Sequence, residues 1–516
     1  MLNIPQNTLP DMWTYHARTA PRKTAITCGA ESITWGEFGA RMNQVCHALA
    51  GLGVQRGERI AFVMSNTIEY LVLLCGAMKY GACVVPISTL LAPEQIATLA
   101  NDSDSRFLFT DAGFIDVITA IRGTLTHVGK GGIFSSQGED GCRSIRDLLS
   151  NTACEEPGIA LNLDDLMNIS YSSGTTGLPK GVVYSHRARA HMGMTYAIAM
   201  KFGPTSRSLL TTPIYSNGTW ITLWPALLTG GEIVIMPAFT PSSCLELMQQ
   251  HRITHAFMVP TQFIRLMAEP RFRDFDLSSL RMCLTAGSNM SVEVKRQVFA
   301  AFGPCLHELY GCSEGGATII TPEELQQRMA SVGRPTPGFD TRILGGDDRE
   351  VARNEPGEIA FYGGWMMRGY HNNPEQTEAA TWRDEHGREF IRTGDIGRMD
   401  EDGYLYVVDR KKDMIISGGF NVFPSDIEAI LQQCPEVLEA TVIGAPHPLW
   451  GETPVAFIIP RHAAKAEAPA IAAWANERLA KTQRIAKVVL MDEFPRNALG
   501  KVMKRELKNA LPATLD

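Results

Sequence analysis

"RIAFVMSNTIEYLVLLCGAMKYGACVVPIS", residues Arg59 to Ser88, holds two short apolar runs with a longer apolar segment between them. "RIAFVM" and "CVVPIS" have the length and β-branched content of strands buried on both faces, whereas "TIEYLVLLCGAMKYG" has helical length and closes on a glycine. "APEQIATLAND" and "RFLFTD" carry the alternation on to Asp111. Strand and helix in turn predict a parallel α/β sheet. The same texture returns in "SLLTTPI", "TLWPALLTGG", "EIVIMPA", "PSSCLELMQQHRI", "HAFMVP" and "LRMCLTAGS", with small or turn residues after each strand, where ligands of such sheets gather.

Beyond Asp340 the chain becomes rich in strands and turns, and charge concentrates in "VVDRKKDM", Val407 to Met414, which reads as an exposed connector. The fold expected is therefore α/β. A large N-terminal domain, 1–410, has mixed and parallel sheets and a β-rich subdomain, followed by a small mobile α+β domain, 411–516. A chain of 516 residues is too long for one core, which agrees with that division. In the smaller domain, Ser425 followed by Glu428 predicts a capping box.

Composition removes several functions. Lys and Arg number 48 against 55 Asp and Glu, for a net charge of −7, so the basic excess of a nucleic-acid binder is missing. The uncharged run from Ser208 to Gly231 is broken by Pro213, Asn217 and Pro225, which argues for buried strand, loop and helix rather than an integral membrane segment. Eleven cysteines without a C-x-x-C pair suit a reducing, cytoplasmic setting. The amino end lacks the apolar core of a signal peptide. His251 and His255 have metal-like i, i+4 spacing, but "HRITH" lacks the glutamate of H-E-x-x-H and is read as non-metal.

"YSSGTTGLPKGVVYSH", Tyr171 to His186, is the densest chemical signal. Gly174, Gly177 and Gly181 are read as free to take positive φ and to expose main-chain N–H groups. Ser172, Ser173, Thr175 and Thr176 add hydroxyls, and Lys180 adds a charge. Together they suit a polyphosphate. The pattern is not a Walker loop, because Lys180 is followed by Gly181 and a strand-like run instead of Ser/Thr and a helix.

"LHELYGCSEGG" sets Tyr310, Ser313 and Glu314 after a strand. A carboxylate beside phosphates needs a cation between them, which makes Glu314 a candidate Mg²⁺ ligand. The same residues spell G-x-S-x-G, so a serine hydrolase using Ser313 is a rival reading; the Gly-rich, β-branched sequence that follows is a poor start for the helix an elbow requires. "RTGDIG" places Asp395 in a tight turn, where a carboxylate can accept both hydroxyls of a ribose, and Arg410 follows with a fork suited to phosphate or ribose oxygens. "FPRNALGKVMKREL" puts Lys501 on a loop before a basic helix.

In this order, "YSSGTTGLPKG", "YGCSEGG", "GEIAFYGG", "RTGDIGRMDEDGYLYVVDRKKDMIISGGFNVFPSDIE" and "PRNALGKVMKREL" resemble the adenylate-forming superfamily of acyl-CoA synthetases, peptide-synthetase adenylation domains and luciferases. The resemblance spans nearly the whole chain. It implies a carboxylate–CoA ligase that makes acyl-AMP from acid and Mg·ATP, then passes the acyl group to coenzyme A. By position, the loop Ser172 to Gly181, including the catalytic Thr176, would hold the β- and γ-phosphates. Tyr310 and Gly311 would lie at the adenine beside Gly287 and Ser288, Ser313 at the α-phosphate, Glu314 on Mg²⁺, and Asp395 and Arg410 at the ribose.

Lys501 would bridge the substrate carboxylate and α-phosphate, Lys412 would be the hinge, and Gly418 and Gly419 would line the pantetheine path. Tyr215, Ser216 and Trp220 would belong to the acyl pocket. Ser216 stands where the family often has His, Ser313 where it has Thr, and Asn289 where it has Pro. Because "PIYSNGTWITLWPALLTGG" carries no charge, the acid expected is an apolar fatty or aryl-alkyl monocarboxylate. The alternative acceptor is a carrier-protein thiol, disfavoured by the absence of a fused carrier domain. A dimer is the oligomer expected.

Overall fold

Helix Ile68–Tyr80 is apolar on every side, and from Ile68 to Lys79 only Glu69 is not buried. Such a helix has to lie between layers. Thr67 accepts the Tyr70 N–H at its start (3.1 Å), and Gly81, at φ +93°, takes the left-handed turn that ends it. The strands it joins, Arg59–Val63 and Cys83–Pro86, are parallel neighbours, and Phe107–Thr110 flanks the first on its other side. The computed structural model describes residues 7–150, 152–172, 179–417, 420–461, 467–496, 502–509 and 511.

These strands belong to an eight-stranded sheet that runs from Gly369–Tyr370 through Lys180–Ser185, Leu166–Ser172, Cys83–Pro86, Arg59–Val63 and Phe107–Thr110 to Ile133–Ser135 and Arg143–Ser144. A nine-stranded sheet carries the second alternating run. Its strands His255–Met258, Met282–Thr285 and Leu306–Gly311 are parallel neighbours. Between the two sheets, Ile26 and Ile233 of one and Phe62 and Phe109 of the other join Trp13, Trp35, Trp220 and Trp224 of the intervening helices in one core. The expected α/β class with an added β-rich part is what forms: strands Phe339–Leu344, Gly357–Gly363, Thr381–Arg383, Glu389–Met399 and Leu405–Arg410 make a separate antiparallel sheet.

After Arg410 comes a turn, and Ile415–Ser417 opens a further sheet with Phe420–Val422, Val437–His447, Gly451–Pro460 and Lys487–Leu490. The connector expected over Val407 to Met414 is shorter than its charge suggests. Val407 to Arg410 finish a strand paired with Glu389–Met399, because their charges have partners: the Asp409 carboxylate accepts the Ser425 N–H (2.9 Å), and Arg410 faces Asp395.

The capping box also fails. Helix Pro424–Leu431 starts two residues earlier, with Phe423 at its cap and Pro424 pre-set in its first turn. Ser425 therefore lies inside the helix and donates to the Val408 carbonyl (2.5 Å), while Glu428 accepts the Val442 N–H (2.7 Å) and pairs with Lys504 (2.9 Å).

Candidate nucleotide and acid site

Register builds the end expected to take adenosine. Thr285 pairs with Glu308 in parallel strands, so two residues further on Gly287 comes level with Tyr310 at the C-terminal ends of both. Gly287 has φ +89° and an exposed backbone, and Ser288 beside it is half-buried. Across from them, Gly394 at φ +72° kinks strand Glu389–Met399, so the turn expected at Asp395 is a bend within a strand. The buried Asp395 carboxylate accepts the Tyr310 hydroxyl (2.8 Å) and meets the Arg410 Nε (3.3 Å) from the residue directly opposite in the ladder. Burial, and then this carboxylate, push the Tyr310 phenol well above its ordinary range.

The phosphate end is a strand hairpin. Ser172 pairs with Lys180 at the last rung of antiparallel strands Leu166–Ser172 and Lys180–Ser185, so no helix follows the loop. Ser173, Gly174, Thr175, Thr176 and Gly177 lie outside the described residues. Gly181 is not the flexible position expected: it sits in the strand without positive φ, and an added Cβ would come within 3.1–3.2 Å of Ile169, His371 and Tyr171. Close packing is its reason to be glycine. Lys180 Nζ lies 4.7 Å over the Tyr370 ring, and the Tyr370 hydroxyl donates to the Glu314 carboxylate (2.8 Å). Tyr370, absent from the sequence-based set, thus links the phosphate hairpin to the proposed metal carboxylate.

Glu314 and Ser313 occupy a half-buried turn between strands Leu306–Gly311 and Ala317–Ile320. A strand, not a helix, follows the G-x-S-x-G match, so there is no nucleophile elbow. Gly311 pairs with Ala317, and a Cβ on Gly316 would fall 2.2 Å from the Phe361 ring, so these glycines serve the hairpin's packing. Among the described residues no three His, Cys, Asp or Glu side chains converge as a metal cage. A single carboxylate fits Mg²⁺ brought in on phosphate oxygens, since that ion keeps waters and needs only one or two protein ligands.

At the acid end, Ser216 is buried and its Oγ accepts the Gly218 N–H (3.3 Å), a bond within its own turn. The Tyr215 hydroxyl is buried, and burial raises its pKa against the opposing pull of the Ser88 and Thr89 hydroxyls. Trp220 is fully buried; its Nε1 donates to the Ile214 carbonyl (2.8 Å), pinning the segment to the core. That segment is uncharged, yet a charge stands against it. Arg189, from helix His186–Ala199, is completely buried with its guanidinium 3.7 Å from the Tyr184 ring centre and 4.7 Å from that of Trp220. The sequence-based view saw no cation here because it examined only the pocket segment.

A cavity of about 530 Å³ opens beside the segment, lined among others by Asn66, Thr212, Pro213, Phe239 and Arg496. Arg496 bridges in antiparallel fashion to Val502, on either side of Lys501, which itself lies outside the described residues. Gly418 and Gly419 also lie outside them, between Ser417 and Phe420. Lys412 is exposed in the turn after Arg410. His255 is a satisfied core histidine, its ring nitrogens taken by Thr254 Oγ (2.7 Å) and the Met200 carbonyl (3.1 Å).

The AMP-binding enzyme family matches residues 13–371, and the AMP-binding enzyme C-terminal domain matches residues 426–501. The chain belongs to the AMP-binding enzyme family. Long-chain-fatty-acid–CoA ligase FadD13 of Mycobacterium tuberculosis is 32% identical over 503 residues, which is 97% of this chain and 97% of that protein. Feruloyl-CoA synthase of an Amycolatopsis species is 31% identical over 95% of this chain and 96% of its own length. The structure of ATP-bound MatB from Rhodopseudomonas palustris superposes with a TM-score of 0.88 at 28% identity, covering 98% of this chain and 99% of that one. This family member is an AMP-forming acid–thiol ligase that makes acyl-CoA through acyl-AMP.

Proposed function

We propose that the enzyme joins a monocarboxylic acid with an apolar body, fatty or aryl-alkyl, to coenzyme A at the expense of Mg·ATP. The observation that carries this reading is the Tyr310–Asp395–Arg410 cluster next to the Lys180–Tyr370–Glu314 cluster, one suited to a nucleoside and the other to phosphate with a divalent ion. Tyr310 and Gly287 flank the adenine. Asp395 trades its present partners for ribose hydroxyls, with Arg410 beside it. The hairpin Ser172–Lys180 cradles the β- and γ-phosphates, and Glu314 holds Mg²⁺, which when bound neutralises charge on the departing pyrophosphate.

No protein nucleophile is needed, since the substrate carboxylate attacks the α-phosphorus and positioning supplies the rate. Lys501 stabilises the charge that develops there. Arg496 on the acid-side cavity supports this role, because it brings the segment leading to Lys501 to the acid end. With the domain boundary at 410/411 and Lys412 as hinge, rotation of the small domain then brings Gly418 and Gly419 to the thiol path. No described helix is long and apolar enough to cross a membrane. The cysteine content supports a reducing, cytoplasmic setting.

The direct test supplies ATP, Mg²⁺, CoA and a panel of acids, and measures AMP and acyl-CoA. Both products are expected. Product formed only with a holo carrier protein would replace CoA as the acceptor, and labelling of Ser313 by a fluorophosphonate with loss of turnover would revive the hydrolase.

A further inference from the structure

Helix Pro93–Asp102 ends in two aspartates that a helix end does not favour. The partial negative charge of a helix C-terminus repels anions, yet Asp102 is the last residue, Asp104 follows two further on at φ +52°, and no basic residue stands in the last turn. Both carboxylates are engaged by other elements. Asp104 accepts His371 Nε2 (3.1 Å) and Asn372 Nδ2 (3.3 Å), with the Arg59 guanidinium and the His127 ring each at 3.6 Å. Asp102 accepts the Tyr171 hydroxyl (2.5 Å). Burial, and then Asp102, push the Tyr171 phenol above its ordinary range, so it stays protonated and donates.

The two contacts converge on the base of the phosphate hairpin. Tyr171 pairs with Gly181 in the ladder, one rung before Ser172 and Lys180. His371 reaches the same glycine from the other side, donating its N–H to the Gly181 carbonyl (2.7 Å), and the missing Cβ of Gly181 leaves room for both side chains. Tyr370, directly before His371, has Lys180 over its ring and Glu314 on its hydroxyl. The strand that holds Tyr370 is two residues long and lies at the edge of its sheet, so its ladder alone fixes it weakly. Asp104 ties down the residues that follow it, as the Glu314 carbonyl ties down those before it by accepting the Met367 N–H (2.8 Å).

We propose that Asp102 and Asp104 are positioning residues of acyl-AMP formation: acting through Tyr171 and His371, they clamp the hairpin at Gly181 and set the spacing of Lys180 and Glu314. This rests on the ligase reading above, in which those two groups meet phosphate and Mg²⁺. Neither aspartate touches a reactant. The clamp serves the first half-reaction alone, because the transfer of a finished acyl-AMP to CoA involves no β- or γ-phosphate and no departing pyrophosphate.

The test measures the two half-reactions separately in the full-length protein, using the acid that the wild-type enzyme turns over fastest: pyrophosphate release as ATP and Mg²⁺ are varied, and thioester formation from supplied acyl-AMP and CoA. His371→Leu should raise both the KM for ATP and the Mg²⁺ concentration for half-maximal pyrophosphate release roughly fivefold, the effect of one lost hydrogen bond. Tyr171→Phe should raise the KM for ATP about threefold. Both should convert supplied acyl-AMP within about twofold of wild type. His371→Gln, which keeps an N–H donor at similar reach, should restore both values to within about twofold. Asp104→Ala should match His371→Leu, and the double variant should be no worse than either, since the two residues act as one contact. Equal losses in the two half-reactions overturn the clamp, as does a lowered urea midpoint with the ATP and Mg²⁺ dependences unchanged, or a His371→Gln no better than His371→Leu. If the wild-type protein releases pyrophosphate with no acid at all, the ligase reading falls, and the clamp with it.

Discussion

The adenosine end and the acid end of the site are built in opposite ways. At the first, Tyr310, Asp395 and Arg410 are already bonded to one another and are set by strand register, so the groups proposed to meet a nucleoside are held in place before it arrives. At the second, Ser216 is occupied by its own turn, the hydroxyls of Tyr184 and Tyr215 are buried, and a buried charge comes from a separate helix. A reaction common to a family calls for a fixed frame at the shared substrate. The end that differs between acids is held by side chains, which change without disturbing a sheet.

Lys501, proposed to bridge the acid and the α-phosphate, should have the largest effect on removal. Deleting a positive charge at the developing transition state resembles the loss of an oxyanion donor, about 10²–10³ in rate. Lys501→Ala should therefore lose acyl-AMP formation by that factor yet still convert supplied acyl-AMP and CoA to thioester. Lys412→Pro should do the reverse, because a fixed φ in the turn after Arg410 would penalise one of the two domain positions proposed above. Equal losses in both half-reactions for either variant would remove the case for rotation.

Asp395→Asn tests the preassembled end alone. The amide keeps the size but loses the anion that faces Arg410, and hydrogen bonds to charged groups contribute about 1.5–3 kcal/mol, so KM for ATP should rise roughly tenfold to a hundredfold. The preference among acids should stay put. A change in acid preference comparable to the change in KM for ATP would show that the two ends are one coupled unit.

The sequence made these two ends unequally visible. Tyr310, Ser313, Glu314, Asp395 and Arg410 could be chosen because each stands in a short motif whose turn chemistry is local. The strand and helix alternation was legible for the same reason, since periodicity and end signals act within a dozen residues. Tyr370 reaches Glu314 across 56 residues and Arg189 reaches Asn168 across 21, separations that no spacing rule encodes. One signal was present: Arg187 and Arg189, two apart on a helix, cannot share a face, so one of them had to point inward. The capping box misled because Pro424 takes the first helical position, which moves the cap from Ser425 back to Phe423.

Acid should also separate the ends. His186 heads the helix that carries Arg189, and both its ring nitrogens are buried without hydrogen-bond partners. Burial lowers its pKa to about 4, against the opposing pull of Asp165 and Asp11. With the folded value below the unfolded 6.5, the unfolded chain binds the proton first, so stability present above pH 6.5 is lost as pH falls toward 4. Between pH 7 and pH 5 this one group should cost about 2 kcal/mol. His186→Leu should flatten the fall in urea midpoint by that amount over this interval; an unchanged slope would place the acid sensitivity elsewhere.

The smallest effect is expected at Tyr370, which links the phosphate hairpin to Glu314. Its hydroxyl bonds Glu314, while its ring lies under Lys180. Tyr370→Phe keeps the ring and so the contact with the lysine, and removes only one hydrogen bond, for a net loss near 1 kcal/mol or roughly fivefold. That loss should appear in the Mg²⁺ concentration giving half-maximal acyl-AMP formation, because a Glu314 carboxylate no longer held in one orientation meets the ion less often. Glu314→Gln, which removes the charge itself, should shift the same concentration further. If Tyr370→Phe leaves the Mg²⁺ dependence unchanged while Glu314→Gln moves it, the main chain alone orients Glu314, and the preassembled character of this end stops at Asp395.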